Sequence, residues 1–314
     1  MTVEPFRISH IEGGFEVRDA LPRPNWPVII EWAQTFSDTV DPHELWTEIA
    51  AYWLSQLADT LKNNYAIWES QEFLVLCSRD KVESHRLIRF CEKSRKKILE
   101  LLGGIASDEG FGKLIVLLFH DPDTYYDFVA DTYPEEGEFA SSTGMFFPYY
   151  YSHLAVLAGP KADTEATIAH ELTHCFLKHL DLPLWLNEGV TQLAEHEVAG
   201  NLREEMTKEL AQKHQLWWNR DTIQEFWIGS SFSKPDDRQE LSYSLSKILA
   251  SRLMDQFPDS FNEFVTTASA IDAGESALWN SCRLSLSQCV SDLFGNQDWS
   301  PRPSEWPKYD EPNE

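Results

Sequence analysis

HELTHCFLKHLDLPLWLNEG, residues 170–189, carries the densest chemistry in the chain. His170 and His174 are four residues apart, so on an α-helix they project from one face, about one turn of 3.6 residues apart. Two imidazoles so placed can share one cation, and zinc accepts histidine nitrogen at about 2.0–2.1 Å. Glu171 stands roughly 100° around the helix from His170, too far round for a good ligand but well placed to reach a water on the metal. A bare HExxH also arises where a helix merely shows its histidines and glutamate to solvent, so the flanking residues decide.

A catalytic zinc takes three protein ligands and keeps one position open. His179 lies five residues past His174, about 140° off the ligand face of a continuing helix. CFLK supplies no glycine to turn the chain, so His179 reads as an ordinary helix-end histidine. Pro183 ends the helix, LDLP makes a reversal, and a second helix is expected from near Leu184. On it Glu188, Gln192 and Glu195 fall at i, i+4 and i+7, along one face. Glu188 is expected to close the site, with Glu195 accepting a hydrogen bond from a ligand imidazole N–H. A solvated acidic stripe is the competing reading of these glutamates, more so for Glu195.

Upstream, Asp163 precedes TEATIAHELTH as a candidate N-cap. The first forty residues are Pro- and Gly-punctuated with weak strand character. Asp41-Pro42 opens an amphipathic helix running to about residue 64. QEFLVLCS (71–78) and GKLIVLLF (112–119) read as strands, and 82–102 as a long amphipathic helix between them. PDTYYDFVADTY reads as a short helix, and 144–159 as two extended segments joined near Tyr151 and Ser152. From about 164 to 294 the pattern is helical, with breaks at Pro183, 229–237 and 271–275, and a Pro-rich, irregular tail follows. The expected class is α+β, with a small mixed sheet in the N-terminal half and a mostly helical C-terminal half. The expected segments are 1–70, packed on the main domain, 71–182 ending in the HExxH helix, 183–295, and the tail 296–314.

Among its 314 residues, 42% are hydrophobic and 13% aromatic, enough for a packed core and incompatible with global disorder. Acids outnumber bases 51 to 26, a net charge of -25, which disfavours nucleic acid and anionic membranes as partners. No uncharged apolar run approaches the roughly 18 residues of a membrane span. The opening MTVEPFRISHIEGG carries no apolar signal core, and the five cysteines form no CxxC pair. A cytoplasmic setting is the expectation.

HELTH, then LWLNEG, then a glutamate seven residues on resembles the gluzincin metallopeptidases, particularly the aminopeptidase-N catalytic module and its thermolysin-like relatives. Only thirteen residues separate His174 from Glu188 here, so short-connector members of the thermolysin-like group are the closer match. A short connector still permits antiparallel helix packing. ELSYSLSKILASRLMDQF (240–257) is similar to the segment in which these peptidases carry Tyr-x-Lys-Gly before an apolar helix. Tyr243 matches, whereas Ser246-Lys247 replaces the Lys-Gly pair. The family's GAMEN signature has no counterpart; the nearest segment is TGMFFPYYYSHLAVLAG (143–159), so aminopeptidase specificity does not carry over. In its last strand His153, Leu154, Ala155 and Val156 are expected to form the sheet edge that receives an extended peptide.

The resemblance spans about residues 140–260 and implies a zincin-like catalytic domain holding Zn²⁺. Its ligands are His170, His174 and Glu188, Glu171 is the general base, and Tyr243 is the hydrogen-bond donor to the oxyanion. The implied activity is hydrolysis of peptide bonds in a peptide or protein substrate. Two rival classes remain open: a zinc-bearing scaffold without turnover, and a zincin hydrolase acting on a non-peptide substrate.

Overall fold

In the computed structural model the described residues are 8, 11–18, 20–36, 38–130, 142–200 and 207–307. The chain separates into two compact units: Met1–Glu100, Asp108–Glu136 and Ser142–Cys175 form the first, and Leu101–Ser107, Gly137–Ser141 and Phe176–Glu314 the second. Among the described residues, no helix is long and apolar enough to cross a membrane.

The first unit opens with a hairpin, β1 (Phe15–Arg18) and β2 (Leu21–Pro24), followed by α1 (Trp26–Gln34) and α2 (Pro42–Thr60). Strands β3 (Ala66–Glu69) and β4 (Phe73–Cys77), helix α3 (Lys81–Leu101), strand β5 (Leu114–Phe119) and helix α4 (Pro122–Val129) come next. Strands β6 (Gly144–Phe147) and β7 (His153–Leu157) then lead into α5 (Lys161–Leu177). The five-stranded sheet has the order β3-β4-β5-β7-β6; β4, β5 and β7 are parallel, and β3 and β6 run antiparallel to their neighbours. FLVLC and LIVLLF are unbroken apolar runs because parallel central strands are covered on both faces.

Local signals set several boundaries. The Asp41 carboxylate accepts from the His43 N–H at 3.1 Å, capping α2 with Pro42 in its first turn. Asp121 does the same for Thr124 at 2.9 Å, and these bonds hold its carboxyl below the usual range. Trp53 and Leu54 of α2 pack with Phe119 and Phe128 in the core of this unit. Helix α1 was not expected, because LPRPNWP reads as a breaker. Pro27 instead occupies the first turn of the helix, where its missing N–H costs nothing. Strand β3 was also missed: it is four residues long, largely exposed, and made by pairing with β4.

The second unit contains α6 (Leu184–Ala199), α7 (Lys208–Trp217), α8 (Thr222–Trp227), α9 (Asp237–Gln256), α10 (Pro258–Thr267), α11 (Glu275–Cys282) and α12 (Leu286–Phe294). The expected breaks fall at a 3-10 turn over Ser230–Ser233, entered through a left-handed Gly229, and at Ala273 and Gly274, whose backbones are left-handed. Trp185 is fully buried against Trp227, Phe226 and Phe264, with its indole N–H donating to the Ala273 carbonyl at 2.9 Å. The tail has no strand or α-helix among its described residues, yet Trp299 is buried and its carbonyl accepts from the Trp227 indole.

Two buried histidines are held neutral. His153 donates from Nδ1 to the Tyr151 carbonyl at 3.0 Å and stacks on Phe147. His214 accepts at Nδ1 from the Trp218 indole N–H at 2.9 Å, so its proton sits on Nε2, facing the Ser244 hydroxyl. Burial lowers both to about 4, against 6.5 for a free imidazole. Between those values the unfolded chain binds more protons. The stability these rings contribute is therefore complete above about pH 6.5 and lost as pH falls toward 4, on the order of 3 kcal/mol each. Urea midpoints are expected to fall across that window, and His153→Phe to flatten the slope. An unchanged slope in that variant would show that His153 is not buried in the neutral form.

Candidate metal centre

Helix α5 begins three residues earlier than expected. Asp163 is not its cap but lies in the first turn, where a carboxylate meets the positive end of the helix dipole. From there the 3.6-residue period carries His170 and His174 to one face. Their Nε2 atoms approach to 3.1 Å, with ring centroids 4.8 Å apart and planes at 77°. Two nitrogens bound to one tetrahedral zinc at about 2.0–2.1 Å stand roughly 3.3 Å apart, so the pair is spaced for a shared cation.

Pro183 starts α6, its carbonyl accepting from the N–H groups of Leu186 and Asn187. The connector is pinned: the Asp181 carbonyl accepts from the Ala270 N–H at 3.1 Å, and its carboxylate accepts from the Ser269 hydroxyl at 3.1 Å. With Trp185 anchored as described, Glu188 is turned inward and only 6% exposed. One ligand atom each from His170, His174 and Glu188 lie within 4.8 Å of one another, a group able to hold a metal ion. His179 lies past the end of α5 in an exposed turn and is not in that group. Glu195 is half-buried further along α6 and is likewise outside it.

Glu171 is 8% exposed and lies against β6. A Cβ built on Gly144 would meet Thr167 Cγ2 and approach Glu171 Oε1 at 2.8 Å and Cγ at 2.9 Å. Only glycine lets the strand come this close to the carboxylate. Sequence reading passed over Gly144; the available signal was a glycine opening an apolar strand.

The expected edge strand requires correction. His153, Leu154, Ala155 and Val156 lie in β7, which pairs with β5 on one side and β6 on the other. All four are buried, as a central strand must be. On this side the sheet ends at β6, whose outer side has no strand partner among the described residues.

On α9, Tyr243 is half-buried with its ring edge-on to Phe232 at 5.3 Å. Gln192 Nε2 donates both to the Glu188 carbonyl at 3.3 Å and to the Tyr243 carbonyl at 3.0 Å, coupling α6 to α9. Gly189 makes that approach possible: a Cβ there would sit 2.7 Å from the Ser246 carbonyl oxygen and 2.7 Å from Ala250 Cβ. Gly189→Ala sets two effects against each other. Helix propensity favours alanine by about 1 kcal/mol, whereas overpacking costs about 1–3 kcal/mol. A rigid backbone oxygen has no rotamer to yield, so net destabilisation is expected in urea or thermal unfolding. A stabilised variant would refute the close packing.

Compared with protein-family models and with curated proteins, the sequence matches none.

Proposed function

We propose that the chain is a zinc-dependent metallopeptidase of the gluzincin type, a thermolysin-like zincin. The observation carrying this reading is the grouping of His170, His174 and Glu188, with the Glu171 carboxylate buried on the same helix as the histidines. Two imidazoles and one carboxylate are a donor set suited to zinc, and three protein ligands leave room for a fourth. When bound, zinc supplies a Lewis acid that polarises a carbonyl and lowers the pKa of a water to about 7.

The chain's own residues carry the remaining steps. Glu171 takes a proton from the attacking water on a carboxylate oxygen and returns it to the leaving amine nitrogen. The Tyr243 hydroxyl donates to the carbonyl oxygen as negative charge develops, a role whose removal typically costs about 10²–10³ in rate. Glu195 orients a ligand imidazole by accepting from its ring N–H. An extended peptide adds to the outer side of β6, which brings its backbone past Gly144 toward Glu171.

Elemental analysis of the purified protein and a mixed peptide library test this reading together. About one zinc per chain and cleavage that is lost to chelator and restored by zinc are expected. Failure to take up zinc removes the reading altogether. Zinc without cleavage of any peptide would favour the scaffold or a non-peptide substrate.

A further inference from the structure

The helical unit contains a cavity of about 340 Å³ whose lining includes Gln192 and His196 of α6 and Glu240, Tyr243, Lys247 and Arg252 of α9. Ligand clefts run from roughly 300 to 1,000 Å³, so this one suits a side chain with its flanking main chain and not a folded partner. Gln192 is one turn beyond Glu188, and Tyr243 is one turn before Lys247. Tyr243 thus lines the cavity, and Gln192 of its lining donates to the Glu188 carbonyl, all within the same unit.

Its charge runs against that of the chain. Acids outnumber bases 51 to 26 in the chain, and Lys113, Lys213, Arg238 and Arg302 are each paired with a carboxylate. Lys247 and Arg252 form no ion pair among the described residues. The i±3 and i±4 neighbours of Lys247 are Tyr243, Ser244, Ala250 and Ser251, none of them acidic. Glu240, the one acid of the lining among the described residues, is engaged by Lys213 at 2.9 Å. The wall thus presents a half-buried ammonium, and an exposed guanidinium at its edge one turn from the exposed Asp255, neither of them in an ion pair among the described residues.

We propose that this cavity is a specificity subsite that receives a carboxylate of the substrate, held by Lys247 and Arg252; the assignment rests on the peptidase reading of the adjoining centre. An ammonium partly withdrawn from water has lost hydration that an entering carboxylate replaces with charge-assisted hydrogen bonds. A neutral side chain leaves that loss uncompensated, and a cationic one adds repulsion. The overall negative charge does not override this, because the Debye length at physiological salt is about 8 Å and contacts inside the cavity are shorter. The carboxylate can come from an Asp or Glu side chain or from the C-terminus of a peptide.

Binding separates this proposal from catalysis. Zinc-loaded Glu171→Gln protein is titrated with short peptides identical except for Glu, Gln or Lys at one position, each with a free or an amidated C-terminus. The Glu peptide is expected to bind about tenfold more tightly than the Gln peptide, with the Lys peptide weakest. Lys247→Glu should reverse the order, and Arg252→Ala, at an exposed position, should weaken the preference while leaving the fold intact. An advantage that follows the free C-terminus and not the side chain identifies that carboxylate as the occupant. Equal affinities, no binding, or an order indifferent to both substitutions overturns the proposal. Library cleavage by the native protein reports separately on the peptidase reading: cleavage with no acidic preference leaves that reading standing and removes the subsite.

Discussion

Glu171→Gln is expected to lower peptide hydrolysis by about 10²–10⁴-fold or more while leaving the zinc content unchanged. The two side chains have nearly the same shape, and residue 171 is buried against Gly144, so the amide fills the same space. What is lost is chemical: an amide oxygen does not take a proton from water near neutral pH, and the return of that proton to the amine goes with it. Glu171 is not one of the three grouped residues, so metal affinity should not follow activity. The comparison needs kcat/KM together with metal analysis on one preparation. Activity within a few-fold of the native protein would eliminate Glu171 as the base.

Glu188→Ala is expected to act in the opposite order, on the metal first. Removing an outer partner of a ligand typically costs 10–100-fold in metal affinity, and removal of a ligand itself should exceed about 100-fold. Stability gained from zinc should disappear as well. A ligand present at about 1,000 times its Kd stabilises the folded state by about 4 kcal/mol, so the zinc-induced rise in Tm is the readout. Glu195→Gln should fall in the smaller range, and His179→Ala should change nothing. If Glu188→Ala kept native affinity while His179→Ala lost it, the third ligand would be the histidine in the turn.

The candidate centre was unusually legible because its parts are local. His170 and His174 meet through the helical period alone, and Pro183 announces a helix start that the chain adopts at Leu184. The residues nominated from spacing are the three that the fold groups. Asp41 and Asp121 likewise mark helix starts through bonds that span two or three residues. Misreadings came where a partner distant in sequence decides. HLAVL and GMFF are both plausible edge strands in isolation, and nothing in either says that HLAVL inserts between β5 and β6.

The sequence by itself therefore determined the helix that presents two histidines on one face and the helix start after Pro183, since each depends on neighbours within a few residues. Tertiary structure alone decided that β6 and not β7 ends the sheet, and that Gly144 admits β6 to the Glu171 carboxylate. It also decided that Gly189 lets α9 close on α6, and that Lys247 lines a cavity while in no ion pair among the described residues. Strand order and helix contact arise from pairings across tens of residues, whose loop-closure cost and steric fit leave no periodic trace in the chain.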